Sequence, residues 1–206
     1  MSRKLNSLLK DIRSCQICAE PANPKPLPHE PRPVLRVATG ARLCICGQAP
    51  GTRVHKSGKP FTDPSGVRLR DWMGVDEDLF YDPSKIAIIP MGFCFPGLDS
   101  KGGDLPPRKE CARTWHGDLF SALDNLELIL VVGMYAQKWH LRERAKRNLT
   151  ETVRAWRDYA NASDNPRFLP LPHPSWRNNH WIKKHEWFES ELIPYLRGEV
   201  TRLCRD

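Results

Sequence analysis

The chain has 206 residues, of which 40% are hydrophobic and 27% charged, a globular composition and not a disordered one. No apolar run reaches the roughly 18–20 residues of a membrane span, and the basic N-terminus has no apolar signal core, so a cytoplasmic protein with no membrane partner is expected. Lysine and arginine exceed the acids by a formal +8, which favours an anionic partner, nucleic acid before membrane. The length predicts a single domain, 1–206, and a monomer.

Leu5, Leu8, Leu9 and Ile12 fall at helical spacing and predict a short amphipathic helix over 5–18, with Cys15 and Cys18 at its end. Six prolines between Pro21 and Pro33 then exclude a helix, so 21–36 reads as an extended connector. Beyond it short apolar runs alternate with helical segments. Strands are predicted at Leu43–Gly47, Ile86–Met91, Leu128–Gly133 and Phe168–Leu171. Helices are predicted over 67–73, from Pro106-Pro107 to about Leu123, over 135–141, around 151–159, and from Trp187 to about Leu203. Such alternation predicts an α/β fold, three layers α/β/α around a short, mainly parallel four-stranded sheet.

In open parallel sheets ligands bind beyond the carboxyl ends of the strands. The segments there are rich in Gly, Pro, His and aromatics: Gly47-Gln48-Ala49-Pro50-Gly51, Met91 to Gly97, Gly133-Met134-Tyr135, and His173-Pro174-Ser175-Trp176. They look like a site. Seven cysteines are present, and in a reducing compartment clustered cysteines read as ligands of a metal or cluster before disulfides. Cys44 and Cys46 alternate along one strand and share a face, which predicts core packing, and Cys204 reads as a bystander.

Gly47-Gln48-Ala49-Pro50-Gly51 after the first strand and His173-Pro174-Ser175 after the last resemble the two signature motifs of the uracil-DNA glycosylase superfamily. Gly58-Lys59-Pro60-Phe61 between them resembles the segment that places a base-stacking phenylalanine. The order of motifs is similar to that of the iron–sulfur, thermophile-type bacterial subgroup over about residues 15–195. That subgroup also carries four cluster ligands in the arrangement of Cys15, Cys18, Cys94 and Cys111 here. Four thiolates suit a [4Fe–4S] cluster, with structural zinc as the alternative.

The resemblance implies hydrolysis of the N-glycosidic bond of uracil or a related damaged base, flipped out of DNA into a pocket. His173 would donate to the departing base, Phe61 would stack on it, and the backbone at Gly47, Gln48 and Ala49 would line it. Ser175 would hold a flanking phosphate, and Trp176 or Arg177 would wedge into the vacated stack. Two departures stand out. Gln48 and Ala49 replace the carboxylates that other members carry in the first motif, and Pro90 stands where the subgroup has a base-reading asparagine.

Asp63 is the nearest replacement carboxylate, and its Asp-Pro-Ser context suits a helix N-cap equally well. Without it, Gln48 is left to position the water. His55, beside Arg53 and Lys56, reads either as a phosphate contact or as a solvated loop residue. Seven Lys/Arg against two Glu between Lys138 and Arg157 make Arg144 and Arg147 candidates for tracking a phosphate backbone. His180, Trp181, Lys183, Lys184 and Trp187 either extend that groove or pack a helix on the sheet. No lysine sits in the signature motifs, so no Schiff-base lyase step is expected. The altered first motif also suits a non-catalytic binder of damaged or abasic DNA, and a third reading is a nucleotide-handling protein with structural zinc.

Overall fold

The computed structural model describes residues 3–20, 23 and 25–205, so Pro21 and Pro24 of the expected connector lie outside the described residues. Four strands, β1 (Leu43–Cys46), β2 (Ile86–Ile88), β3 (Leu128–Val132) and β4 (Arg167–Leu171), form one sheet in the order β2-β1-β3-β4. Every pairing is parallel, with Ile45 opposite Ile88 and Leu130, and Leu130 opposite Leu169. Each apolar run serves both faces, because successive side chains of a strand point to opposite sides. Leu43, Ile45, Ile86, Ile88, Leu128, Leu130, Val132, Leu169 and Leu171 build one core layer. Cys44, Cys46, Ala87, Ile89, Ile129 and Val131 build the other.

The first layer is covered by α3 (Pro64–Met73), α4 (Glu77–Tyr81), α8 (Trp156–Ala160) and α10 (Ile193–Cys204), through Leu69, Trp72, Phe80, Trp156 and Leu196. The second is covered by α1 (Arg3–Arg13), α5 (Lys109–Ser121) and α6 (Met134–Leu141), through Leu5, Leu9, Ile12, Leu119 and Ala136. This is the three-layer arrangement expected from the alternation. Cys44 and Cys46 share the second core layer with their sulfurs 3.7 Å apart, and Cys204 is buried at the edge of the first. No helix among the described residues is long and apolar enough to cross a membrane.

Several boundaries differ from the periodicity. The N-terminal helix ends at Arg13, because the Ser14 hydroxyl donates to the carbonyls of Lys10 and Asp11 and closes the turn. Cys15 and Cys18 therefore lie in the turns after α1. Helix α5 begins at Lys109, after Pro106-Pro107, since Arg108 is extended and its guanidinium is held by Asn23 and Glu110. Helix α3 starts earlier than predicted, with Pro64 in its first turn after the Asp63 cap.

Strand β2 stops before Pro90, which has no N–H for the ladder. Ile89 and Met91 still donate to the carbonyls of Ile45 and Gly47. Its outer edge is covered by the connector, where Arg36 and Ile88 exchange both backbone bonds. The predicted last helix is a π-helical turn over Phe188–Leu192 followed by α10. Pro194 in the first turn of α10 offers no amide to the preceding turn, which widens there. The segment around 151–159 is two helices, α7 (Leu149–Arg154) and α8. Helices α2 (Thr52–Ser57), α4 and α9 (Asn179–Lys184) are too short for periodicity to reveal.

Two histidines are enclosed between α5 and α6, their rings 6.0 Å apart among Phe93, Phe120, Trp139 and Phe168. His116 Nε2 faces the Pro90 carbonyl at 3.1 Å, while His116 Nδ1 and His140 Nε2 have no hydrogen-bond partner among the described residues. Burial lowers His116 to a pKa of about 4 and His140 to about 3. Unfolding returns both to the ordinary range near 6.5, so between these values the unfolded chain binds more protons. Their stabilising contribution is full above about pH 6.5 and is lost as pH falls through the folded values, about 3 kcal/mol for His116 alone. The midpoint of urea unfolding should therefore drop steeply from pH 7 to pH 4.5. His140→Phe, which keeps the ring packing, should flatten that slope; an unchanged slope in this variant contradicts the account.

Candidate functional site

The strand order places the topological switch between β1 and β3, since β1 leads to helices on one face and β3 to α6 on the other. A crevice opens there beyond the carboxyl ends of the strands. The Gly47–Gly51 segment leaves β1 at this crevice, anchored by Met91 N–H to Gly47 O (2.9 Å) and Gly92 N–H to Gln48 O (3.0 Å). Gln48 and Ala49 are half-buried there.

Phe61 lies over Gly47. A Cβ at Gly47 would stand 3.2 Å from Phe61 Cζ, so the glycine lets the ring rest on the backbone. Phe61 has φ +55°, a left-handed conformation that a phenylalanine adopts only when its surroundings enforce it. Three contacts do so. The Tyr81 hydroxyl donates to the carbonyls of Pro60 (2.7 Å) and Phe61 (3.2 Å), Phe80 meets the ring edge-on, and Gly66 packs its bare Cα on the Phe61 carbonyl. The ring is half-buried and held in place with one side on the motif backbone.

Asp63 caps α3. Its Oδ1 accepts from Ser65 Oγ (2.6 Å) and from the Gly66 amide (3.2 Å). The same carboxylate acts on His173, which follows β4. His173 sits over Gly133, at φ +82°, where a Cβ would lie 3.6 Å from His173 Cβ. Its carbonyl accepts from Asn178 Nδ2 at 2.6 Å. Burial lowers its pKa, partly offset by the Asp63 charge, so the ring is neutral at physiological pH and keeps one N–H to donate. Gly47, the Phe61–Asp63 turn and His173 thus come from three separate segments to one crevice.

The His173–Asn179 loop is strapped to α3 by Arg68, which donates to the Ser175 carbonyl (3.2 Å) and to Asn179 Oδ1 (2.7 Å). Trp176 stands in the 3₁₀ turn 176–178 with 74% of its surface exposed, and Arg177 is exposed beside it. An open groove runs alongside, lined by Arg53, Thr62, Asp63, Val67 and Arg68. Arg53 enters the sequence reading only as a neighbour of His55 and Arg68 not at all; the fold brings both to this groove.

Two expected contacts fall elsewhere. Arg144 stacks on Phe168 at the start of β4 and pairs with Asp164, and Arg147 pairs with Glu151. His173 follows the other end of β4, about 15 Å away at the usual rise per strand residue. The structure therefore does not bring Arg144 and Arg147 to this crevice. His55 is half-buried against the connector, its ring 4.2 Å from His29 and 5.7 Å from Phe95, and its pKa is lowered by burial and by His29 and Arg32. Trp181 packs on Phe188 and Trp187 and donates to Thr150, so those tryptophans serve the core.

Cys15, Cys18, Cys94 and Cys111 line a single cavity between the turns after α1, the loop after β2 and the start of α5. Among the described residues no three His, Cys, Asp or Glu converge tightly enough to hold a single metal ion. The Phe93 amide donates to Cys111 Sγ at 3.3 Å. The Arg32 backbone acts on Cys94 and the Arg108 guanidinium on Cys18, each favouring the thiolate. Burial nevertheless raises all three thiols, Cys94 to about 11, so only a bound cation would hold them as thiolates.

The family model described as the uracil DNA glycosylase superfamily matches residues 36–197, which include every motif at the crevice. With its parallel sheet and with both signature segments at the strand ends, the chain belongs to the uracil DNA glycosylase superfamily.

Proposed function

We propose that the protein is a monofunctional DNA glycosylase that hydrolyses the N-glycosidic bond of uracil or a related damaged base. The observation that carries this reading is the neutral His173 held over Gly133 within electrostatic reach of Asp63, itself two residues from a Phe61 ring fixed on the first motif. Bond cleavage leaves an anionic base and a cation-like sugar. An aimed N–H stabilises the first and a fixed carboxylate the second. A flipped base would stack on Phe61, with Gly47, Gln48 and Ala49 along its edge. Ser175 would contact a flanking phosphate, and Trp176 or Arg177 would fill the gap left in the duplex.

We also assign the four-cysteine cavity to a [4Fe–4S] cluster, which would place the chain nearest the iron–sulfur subgroup. Four thiols around one cavity, with the Phe93 amide donating to Cys111 Sγ and the Arg108 guanidinium acting on Cys18, suit an anionic cluster. The likeness of their arrangement to the four ligands of the iron–sulfur subgroup favours the cluster over zinc. When bound, the cluster supplies cross-linking and not chemistry. Cys15 and Cys18 would tie the segment after α1 to Cys94 and Cys111.

The second reading, a binder of damaged or abasic DNA without cleavage, is favoured by Gln48 and Ala49, which leave the first motif without an acid. Single- and double-stranded oligonucleotides carrying uracil, xanthine or hypoxanthine separate the two. Alkali-labile breaks are the expected result; gel shifts without breaks would establish the binder, and neither would refute both.

DNA affinity should fall with salt with a log–log slope of about −3 to −5, as for neutralising some five phosphates. Reversing Arg53 and Arg68 should weaken binding at least tenfold on any sequence. Reversing Arg144 and Arg147 should leave it within about twofold. The opposite ranking would move the phosphate track to the other end of the sheet.

A further inference from the structure

We infer that Asp104 is the carboxylate that takes the proton of the attacking water, an inference that rests on the glycosylase reading above. Asp104 comes from the loop after β2, which is folded back as a tight hairpin. Leu98 bridges to Asp104, Leu105 N–H donates to Gly97 O (3.0 Å), and Asp99 Oδ1 accepts from the amides of Lys101 and Gly103 (2.8 Å each). The hairpin sets the Asp104 carboxylate against Gly51, the last residue of the first motif. A Cβ there would stand 3.0 Å from Asp104 Oδ2, closer than such a contact normally comes, so the glycine makes room for the carboxylate. The first motif thus lacks an acid of its own but receives one from another loop.

Two carboxylates then flank the crevice, and their surroundings divide the work between them. Asp63 is held by the Ser65 hydroxyl and the Gly66 amide as the cap of α3, so it supplies a fixed charge. Asp104 accepts no hydrogen bond among the described residues and stands in open contact with solvent at the rim. The charged groups that act on it are Asp63 from the start of α3 and Arg177 from the turn after β4. Partial burial and then Asp63 raise its proton affinity, and Arg177 opposes them, so it takes a proton more readily than an isolated aspartate. In the step, the C1′–N bond breaks with its electron pair leaving on the base, which accepts the His173 N–H. The water oxygen bonds C1′, and the water proton passes to Asp104.

The test is single-turnover base release against pH for the wild type, Asp104→Asn, Asp104→Glu, Asp63→Asn and Gly51→Ala. Asp104→Asn should lose about 10²-fold or more and lack the acid limb of the profile, where the wild-type base becomes protonated. Asp104→Glu should recover part of the rate together with the limb. Asp63→Asn should keep the limb. Gly51→Ala, at an ordinary extended φ of −87°, displaces the carboxylate without altering it and should lower the rate at least tenfold. An Asp104→Asn protein within twofold of wild type, with its acid limb intact, overturns the inference while leaving the glycosylase reading standing.

If the wild type releases no base at all, it is the glycosylase reading that fails. Asp104 is then judged by binding to oligonucleotides with a cationic pyrrolidine or a neutral tetrahydrofuran in place of the abasic sugar. Asp104→Asn should reduce the preference for the cation at least threefold; an unchanged preference overturns the placement of its charge at the sugar.

Discussion

His173→Ala should lose about 10²–10³ in the rate of base release, the usual cost of removing one aimed donor from a site where negative charge develops. Thermal stability should barely change. The side chain is half-buried over Gly133, and the contact that fixes its loop, Asn178 Nδ2 to the His173 carbonyl, involves only the backbone of residue 173. His173→Gln offers an amide donor on a shorter reach and should recover part of the loss. The effect belongs on the chemical step, so affinity for DNA bearing an abasic sugar should be kept. Full activity in His173→Ala on the best lesion found would remove the basis of the assignment, because the last motif would then have no chemical role.

The sheet is legible in the sequence because β1, β2 and β3 are unbroken apolar runs, as burial on both faces requires, and β4 shows itself by Phe168, Leu169 and Leu171. The two signature segments could be placed from those runs alone, since the residues after each strand face the crevice. The short helices were not legible, because α2, α4 and α9 span only five or six residues, fewer than two turns. The basic cluster is legible as charge, but its place in the fold is not. A helix that follows a parallel strand runs back along it. The end of α6 and the turn at Arg142–Arg144 therefore return to the level where β4 begins. Asp104 gave no signal, since a single acid in a loop has no period and no motif. Its place at Gly51 depends on how the loop after β2 folds over the loop after β1. Asp63 was read both as cap and as charge. The structure assigns it the cap, and the charge reaches His173 from that same position.

The protein as purified anaerobically should be brown, with iron and sulfide each near four per chain, as four cysteines around a [4Fe–4S] cluster require. A colourless protein with about one zinc would keep the site and refute the cluster; no metal at all would refute both. Cys111→Ser should then unfold well below the wild type. The reason lies in what holds the first thirty residues. Helix α1 buries Leu5, Leu9 and Ile12 on the second core layer, but the turns that follow it carry few apolar groups. A link from Cys18 to Cys94 closes a loop of more than seventy residues. By the loop-entropy argument for any cross-link, that closure is worth roughly 4 kcal/mol. In a chain of this length a loss of that size lowers the melting temperature by about 10 °C. Base release per folded molecule should survive the substitution at low temperature, because the cavity shares only the loop after β2 with the crevice, and Asp104 stands at the far end of that loop in a hairpin with its own hydrogen bonds. Loss of activity in a Cys111→Ser protein that still melts at the wild-type temperature would instead show that the cluster acts on the crevice, through the Phe93 amide that links Cys111 to the loop after β2.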